Sequence, residues 1–549
     1  MSDAFRSLFP AFEAIDCVYL DSAATTQKPQ SVLDAMQSYY INTNANVHRG
    51  AYQRAQQATE QFEQARETVA GFIHAPSASN IVWCKGTTDG INLIANGLTD
   101  ASWVTGSRIL VSGSEHHANL IPWQQLAKRR GWQLDILPVD HNGIWQLEAL
   151  DTLLSADTAV VAIGHVSNAL GVINPLGEVL QRARLVNALT VVDGAQAVGH
   201  LDVDVQALDC DFYVFSAHKM YGPTGIGAVY GKTACLDALQ PTQFGGEMVV
   251  EVTYQNATFQ PAPLKFEAGT PAIAEVIGFA AAVGFMQQYR AQLQTHERLL
   301  LEALSEAFHG IDGVSMLAAD GPRIPLVSLV FEQLDCQDVA ILLDRQGIAV
   351  RTGHHCAMPL IAALGHTATL RVSLGCYNTL EDIQRFALAL RSAVQQLRND
   401  TLFPPPGPMP TSNAEETLAP LASAVKAAKG WDNVYRQVML AGKSLPRLSP
   451  QQCTEDNGVK GCESAVWICV DRQDPQHVQL AAESPSKIVR GLLALIIEAL
   501  QGQSVSYIRQ FNVQDYLDDM GLQHHLSESR GNGLRAVMAR IIERLDVSV

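Results

Sequence analysis

Short apolar runs alternate with helix-patterned stretches through the first four hundred residues. Arg108–Val111, Leu134–Leu137, Ala159–Ile163, Leu189–Val192, Asp211–Phe215 and Gly227–Tyr230 read as strands, and Trp123–Arg130 between the first two reads as a helix. Strands interleaved with helices predict an α/β domain with a largely parallel sheet. In such folds, chemistry gathers at strand ends. Glu381–Leu397 has the periodicity of a closing amphipathic helix. Pro404, Pro405 and Pro406 then break any helix, and with Pro408 and Pro410 they mark an extended linker, taken as 401–418. Beyond it, Trp431–Leu440 and Ser486–Leu500 read as helices, and Ala465–Val470 and His477–Leu480 as short strands. The pattern therefore predicts a domain at 1–400 and a small α+β domain at 419–549.

Composition narrows the function classes. The chain has 549 residues, more than a single core usually organises. A formal net charge of −17 disfavours nucleic acid as a general partner. The apolar stretch Gly491–Leu500 contains Glu498 and is too short to span a bilayer, so it reads as a buried helix and no membrane role is expected. Met1–Arg6 is followed by no long apolar region. The ten cysteines show no CxxC spacing, so neither a metal site nor a disulfide framework is expected, and a cytoplasmic location fits best.

Lys219 follows an apolar strand and precedes the Gly222-Pro223 turn. An enclosed lysine loses its proton more easily and can form a Schiff base with pyridoxal phosphate; the same position also suits a solvated loop lysine. Ser216 and His218 beside it are candidate phosphate donors. Asp193 closes a strand 26 residues earlier. A carboxylate there can keep a pyridine nitrogen protonated, or simply cap a helix. Gln196 is a candidate partner of the ring hydroxyl. Lys85-Gly86-Thr87-Thr88 precedes a helical run, which makes Thr87 and Thr88 candidates for an anion site or for ordinary capping. In Glu115-His116-His117, His116 is the candidate to stack on a cofactor ring, with His117 read as structural.

Together these segments resemble the class V aminotransferase-like fold and, within it, the cysteine desulfurases of the SufS/CsdA type, over roughly 15 to 398. The most specific segment is Arg351-Thr352-Gly353-His354-His355-Cys356-Ala357-Met358-Pro359, joined by Tyr19–Thr26, Asn46–Gly50 and Ser216–Lys219. The resemblance implies a pyridoxal-phosphate-dependent transferase of fold type I. It divides the first domain into a large part at about 17–265 and a small part made of the N-terminal segment and about 270–400. It also implies the residue roles. Lys219 carries the cofactor and shuttles a proton, and Asp193 pairs with the ring nitrogen. Gln196 contacts the ring hydroxyl, and His116 stacks on the ring. Thr87, Thr88, Ser216 and His218 serve the phosphate, with Thr270 supplied across a homodimer. Arg371, Asn168 and Arg351 hold the substrate. Cys356 takes the sulfur of L-cysteine, with Arg351, His354 and His355 near enough in sequence to favour its thiolate. Lys85, the two-glycine Gly245-Gly246 and Cys376 depart from what relatives commonly carry.

The second domain resembles a SufE-type sulfur acceptor over roughly 420 to 545, through Gly430–Arg436, Val459–Trp467, Ile488–Leu492 and Leu526–Leu534. Cys462 matches the acceptor cysteine, and Cys453 and Cys469 lack its context. The combined resemblance implies L-cysteine as substrate and internal transfer from Cys356 to Cys462. Downstream it implies sulfur-accepting proteins or iron–sulfur scaffolds. Selenocysteine lyase, cysteine sulfinate desulfinase and an inactive sulfur-carrier scaffold are the alternatives.

Overall fold

The computed structural model describes residues 5–14, 17–318, 320–399, 420–428, 431–460, 464–522 and 528–546. The expected linker 401–418 and Cys462 lie outside them.

Seven strands form the central sheet: β1 Ile81–Cys84, β2 Arg108–Ser112, β3 Gln133–Leu137, β4 Thr158–Gly164, β5 Leu189–Asp193, β6 Phe212–Ser216 and β7 Gly227–Gly231. Their spatial order is β1-β7-β6-β5-β4-β2-β3, with only β7 antiparallel to its neighbours. The six strand segments expected from the apolar runs are all present. β1 was not anticipated; it is a four-residue buried segment whose pairing partner, β7, is about 150 residues away. Unbroken burial along β5, β6 and β7 explains the absence of polar alternation, because helices cover both faces.

The helices follow the same logic. In α1 (Gln53–Phe72), Ala55, Ala58, Phe62, Ala65 and Val69 recur at helical spacing and face the core. α2 (Thr87–Gly97) follows β1, and α3 (Ile121–Arg130) follows β2. The long α4 (Ile273–Ala307) has 35 residues, so it spans about 50 Å. Its first half packs in the core of the central sheet through Phe279 and Val283. Leu300 and Leu304 belong to a second core. That core lies under a four-stranded antiparallel sheet of β8 (Val314–Met316), β9 (Leu326–Phe331), β10 (Arg351–Gly353) and β11 (Thr369–Ser373), ordered β8-β9-β11-β10. α5 (Cys336–Asp344), α6 (Met358–Ala363) and α7 (Leu380–Asn399) complete this part.

The C-terminal domain has its own core. α8 (Trp431–Ser444) packs on α9 (Lys487–Leu500), and α9 packs on β13 (Gln479–Glu483), which forms a hairpin-like pair with β12 (Trp467–Asp471). The two helices cross closely because Gly491 has no side chain; a Cβ there would lie 2.0 Å from the Val438 carbonyl oxygen. α9 is buried along nearly its whole length, as expected for Gly491–Leu500. Among the described residues, no helix is long and apolar enough to cross a membrane.

Arg66 ties three segments together. It donates to Glu267 Oε1 at 2.6 Å and Oε2 at 3.0 Å, and to the Ile81 carbonyl at 3.0 Å. Glu267 also accepts from the Trp83 amide at 2.8 Å. Removing one charge of a buried pair strands the other, so Arg66→Met is expected to cost about 3–5 kcal/mol in urea unfolding. The double variant Arg66→Met/Glu267→Leu should recover part of that loss.

Candidate active site

Five strand or loop ends converge on one cavity of about 570 Å³. β1 delivers Gly86, Thr87 and Thr88; β2 delivers Glu115 and His116. β4 delivers Asn168, β5 delivers Asp193 and Gln196, and β6 delivers Ser216, His218 and Lys219. The small part adds Arg351, His355, Cys356 and Arg371. The carboxyl ends of parallel strands thus form the site.

At the phosphate end, α2 begins directly after Gly86, whose φ of 148° lies outside the range that side-chain-bearing residues favour. The Thr87 amide donates to the Ser216 hydroxyl oxygen at 2.7 Å, and the two hydroxyls are also 2.7 Å apart. Hydroxyls at a helix N-terminus suit an anion. Burial lowers the His218 pKa to about 4, so this imidazole is neutral at physiological pH and offers a hydrogen bond rather than a charge.

Asp193 and Lys219 line the same cavity and feel each other's charge. Desolvation raises the Asp193 carboxyl, while a hydrogen bond from the Ala195 amide at 2.9 Å and the charge of Lys219 oppose it. A cationic ring nitrogen would offset the same desolvation. Burial lowers Lys219 to about 8 against the pull of Asp193, and Arg371 assists. Burial also lowers His116 to about 3, and its Nδ1 accepts from the Ala118 amide at 3.0 Å. The neutral ring therefore carries its proton on Nε2. Gln196 donates to the Ala23 carbonyl at 2.8 Å, which fixes its side chain at the cavity wall.

Arg371 donates to Asp21 at 3.0 Å and to the Asn168 carbonyl at 2.9 Å. Among the described residues its buried Nε and the buried Asn168 Oδ1 have no partner. Orphaned polar atoms in a cavity wall carry a desolvation cost that a ligand removes. These atoms, the anion-ready end of α2 and the Asp193 carboxylate fit pyridoxal phosphate and an amino-acid carboxylate.

Cys356 is exposed at the cavity mouth. His355 and Cys356 both adopt left-handed backbone, with φ of 52° and 55°. Their turn is held on several sides. Asn168 donates to the His355 carbonyl at 2.6 Å, and the His117 amide donates to the Cys356 carbonyl at 2.7 Å. The His117 ring accepts from the Met358 amide at 3.3 Å, and His355 Nε2 meets Thr369 Oγ1 at 2.7 Å. His117, read from sequence as structural, is thus a clamp on the nucleophile's turn.

The sequence reading overlooked two residues. Asp21 orients Arg371 and lies 3.9 Å from Arg351. Glu115, beside His116 in the chain, is buried and accepts from Asn119 at 2.7 Å, from the Gly164 amide at 2.9 Å and from Ser112; burial raises it to about 7. Its place next to His116 in the sequence was the available signal. Thr270 does not line this cavity. It is exposed at a second cavity of about 270 Å³, which shares Lys85, Asp89 and Asn92 with the first. Cys376 is a core residue whose thiol burial pushes up. Cys453 and Cys469 are partly buried, and burial raises both thiols.

Comparison with known proteins agrees with this geometry. Residues 18–386 match the aminotransferase class-V family, and 419–545 match the SufE family, described as an Fe-S metabolism associated domain. A probable cysteine desulfurase of Vibrio cholerae is 47% identical over 400 residues, covering 72% of this chain and 99% of the relative. A cysteine desulfurase of Escherichia coli O157:H7 is 44% identical over 398 residues, covering 71% and 97%. The crystal structure of the Escherichia coli cysteine desulfurase CsdA matches with a TM-score of 0.67 and 38% identity, covering 72% of this chain and 99% of that one.

The depressed Lys219 pKa has a measurable consequence. Protein stripped of pyridoxal phosphate is expected to take it up faster as pH rises, with a midpoint near 8 rather than the ordinary lysine value of 10.5. Stopped-flow absorbance across pH checks this.

Proposed function

The chain belongs to the aminotransferase class-V family as a pyridoxal-phosphate-dependent cysteine desulfurase with a fused SufE domain, and we propose that it moves sulfur from L-cysteine through Cys356 to Cys462. The observation that carries this reading is the exposed Cys356 thiol at the mouth of the cavity that holds Lys219 and Arg371. A lyase acting on selenocysteine or a sulfinate needs no such thiol.

Pyridoxal phosphate in this cavity supplies an electron sink that makes the substrate Cα–H acidic. Lys219 anchors it and, once released, takes the Cα proton; its low pKa makes the amine available near neutrality. Asp193 stabilises positive charge at the ring nitrogen, and neutral His116 covers the ring face. Thr87, Thr88, Ser216 and His218 hold the phosphate, and Gln196 the ring hydroxyl. Arg371, with Asn168 and Arg351, fixes the substrate carboxylate and so aims the substrate sulfur at Cys356. The Cys356 thiolate forms an S–S bond with that sulfur as the substrate Cβ–S bond breaks. The bond's electron pair stays with the carbon skeleton, which leaves as L-alanine after protonation. The thiolate of Cys462 then attacks the outer sulfur of the Cys356 persulfide, and Cys356 departs as thiolate, with no net redox change. Tethering raises the effective concentration of this second thiol.

A homodimer completes the reading, with Thr270 of each chain serving the partner's phosphate end across the second cavity. Iron–sulfur cluster supply and related sulfur-accepting proteins are the downstream destinations proposed, in the cytoplasm.

After a brief pulse of L-cysteine, peptide mass spectrometry should find a gain of about 32 Da, one sulfur atom, on both cysteines. Cys356→Ser should abolish both adducts and alanine release. Cys462→Ser should retain the adduct on Cys356. Alanine release without any adduct on Cys462 would sink the relay and keep the desulfurase.

A further inference from the structure

The acceptor domain meets the rest of the chain at the N-terminal turn of α5. Asp338, in that turn, is buried, and its carboxylate sits on the N-terminus of α9 in the other domain. It accepts from the Lys487 amide at 2.7 Å, from the Ser486 hydroxyl at 3.0 Å and from the Ile488 amide at 3.4 Å. Ser486 is also the intrinsic cap of α9, accepting from Val489. One helix start is therefore capped from both domains, and its buried amides, which have no partner within the helix, gain an acceptor. Three residues earlier, Asp335, the N-cap of α5, accepts from the Ser464 hydroxyl at 2.9 Å. The Lys487 ammonium reaches the Leu397 carbonyl in the last turn of α7 at 3.0 Å. Ile341 of α5 joins the acceptor domain's apolar core, and Met439 of α8 packs against the core of the small part. The interface is thus a polar cap exchange flanked by apolar insertion from both sides.

Strand register says where this interface lies relative to the nucleophile. Leu329 of β9 and Thr352 of β10 both pair with Leu370 of β11. They are level with each other and two strand spacings apart, about 10 Å. β9 and β10 are both antiparallel to β11, so they run in the same direction and leave the sheet at the same end. β9 leads to Asp335 within four residues of Phe331, and β10 leads to Cys356 within three of Gly353. The docking contact and the Cys356 turn therefore follow strands that leave one end of one sheet. Ser464, which makes the contact at Asp335, follows Cys462 by two residues in the sequence, a chain reach of about 7 Å.

We propose that the acidic start of α5, through Asp335 and Asp338, is the docking site that presents the acceptor domain to the nucleophile of its own chain, so that sulfur passes within one polypeptide and not across to a second copy. This rests on the relay reading above. Asp335 and Asp338 lie outside the cavity, so disrupting them should slow delivery of sulfur without slowing its extraction.

Two full-length variants co-expressed with different affinity tags, Cys356→Ser and Cys462→Ser, test the direction. After an L-cysteine pulse on the co-purified pair, Cys462 of the Cys356→Ser chain should stay unmodified. In a separate chain, Asp338→Lys should slow the adduct on Cys462 roughly tenfold or more, since effective concentration is what it loses. Its alanine release with dithiothreitol as acceptor, and its cofactor absorbance, should match wild type, which shows that the catalytic domain is intact. Rapid modification of Cys462 in the Cys356→Ser chain, or an unchanged relay in Asp338→Lys, overturns the docking proposal. A wild-type chain whose Cys462 is never modified removes the relay beneath it instead.

Discussion

A lysine enclosed between a carboxylate and a guanidinium sets the terms for the rest of the active site. Lys219 shares with Asp193 and Arg371 a cavity that strips water from all three. Burying such charges costs free energy unless they meet partners. The sheet arranges this by ending β5 at Asp193 and by running its parallel neighbour β6 up to Lys219. Arg371 comes from the other sheet, held by Asp21. The long α4 joins the two cores and so holds the two sheets together around that arrangement.

The nucleophile obeys a different constraint. Two consecutive left-handed residues without glycine cost of order 1–3 kcal/mol each, and they persist only where neighbours dictate the conformation. Asn168, His117 and Thr369 do so for His355 and Cys356. In the proposed relay, a thiol on a turn held this way has little backbone freedom to move toward a distant acceptor. Delivery then depends on bringing the acceptor to it, which gives a domain docked at the end of the same sheet a mechanical purpose.

Much of this was legible in the sequence. Short apolar runs interleaved with helix-patterned stretches gave away the parallel strands, and β5 and β6 are buried along their whole length. Lys219, Asp193, His116 and Arg371 stood out because motifs in family order marked them, and the structure brings all four to one cavity; singly, each had an ordinary structural reading. What escaped was what depends on partners far apart in the chain. β1 exists through its pairing with β7, and Asp21 matters through Arg371, 350 residues away. Asp338 reads as an ordinary helix-start carboxylate until α9 arrives, 149 residues later, to use it. His117 looked structural beside His116; its role as a clamp on the Cys356 turn required seeing that turn pass over it.

The central claim is that Lys219, and no other lysine, carries the cofactor. Lys28 is a fair rival, since burial lowers it to about 8 as well, yet it donates to Thr25 and Thr26 and does not line the cavity. Borohydride reduction of the holoenzyme followed by peptide mapping decides between them. The account predicts the phosphopyridoxyl label on the peptide containing Lys219 alone, and its loss in Lys219→Ala. Label on Lys28, or a full label surviving in Lys219→Ala, would contradict it.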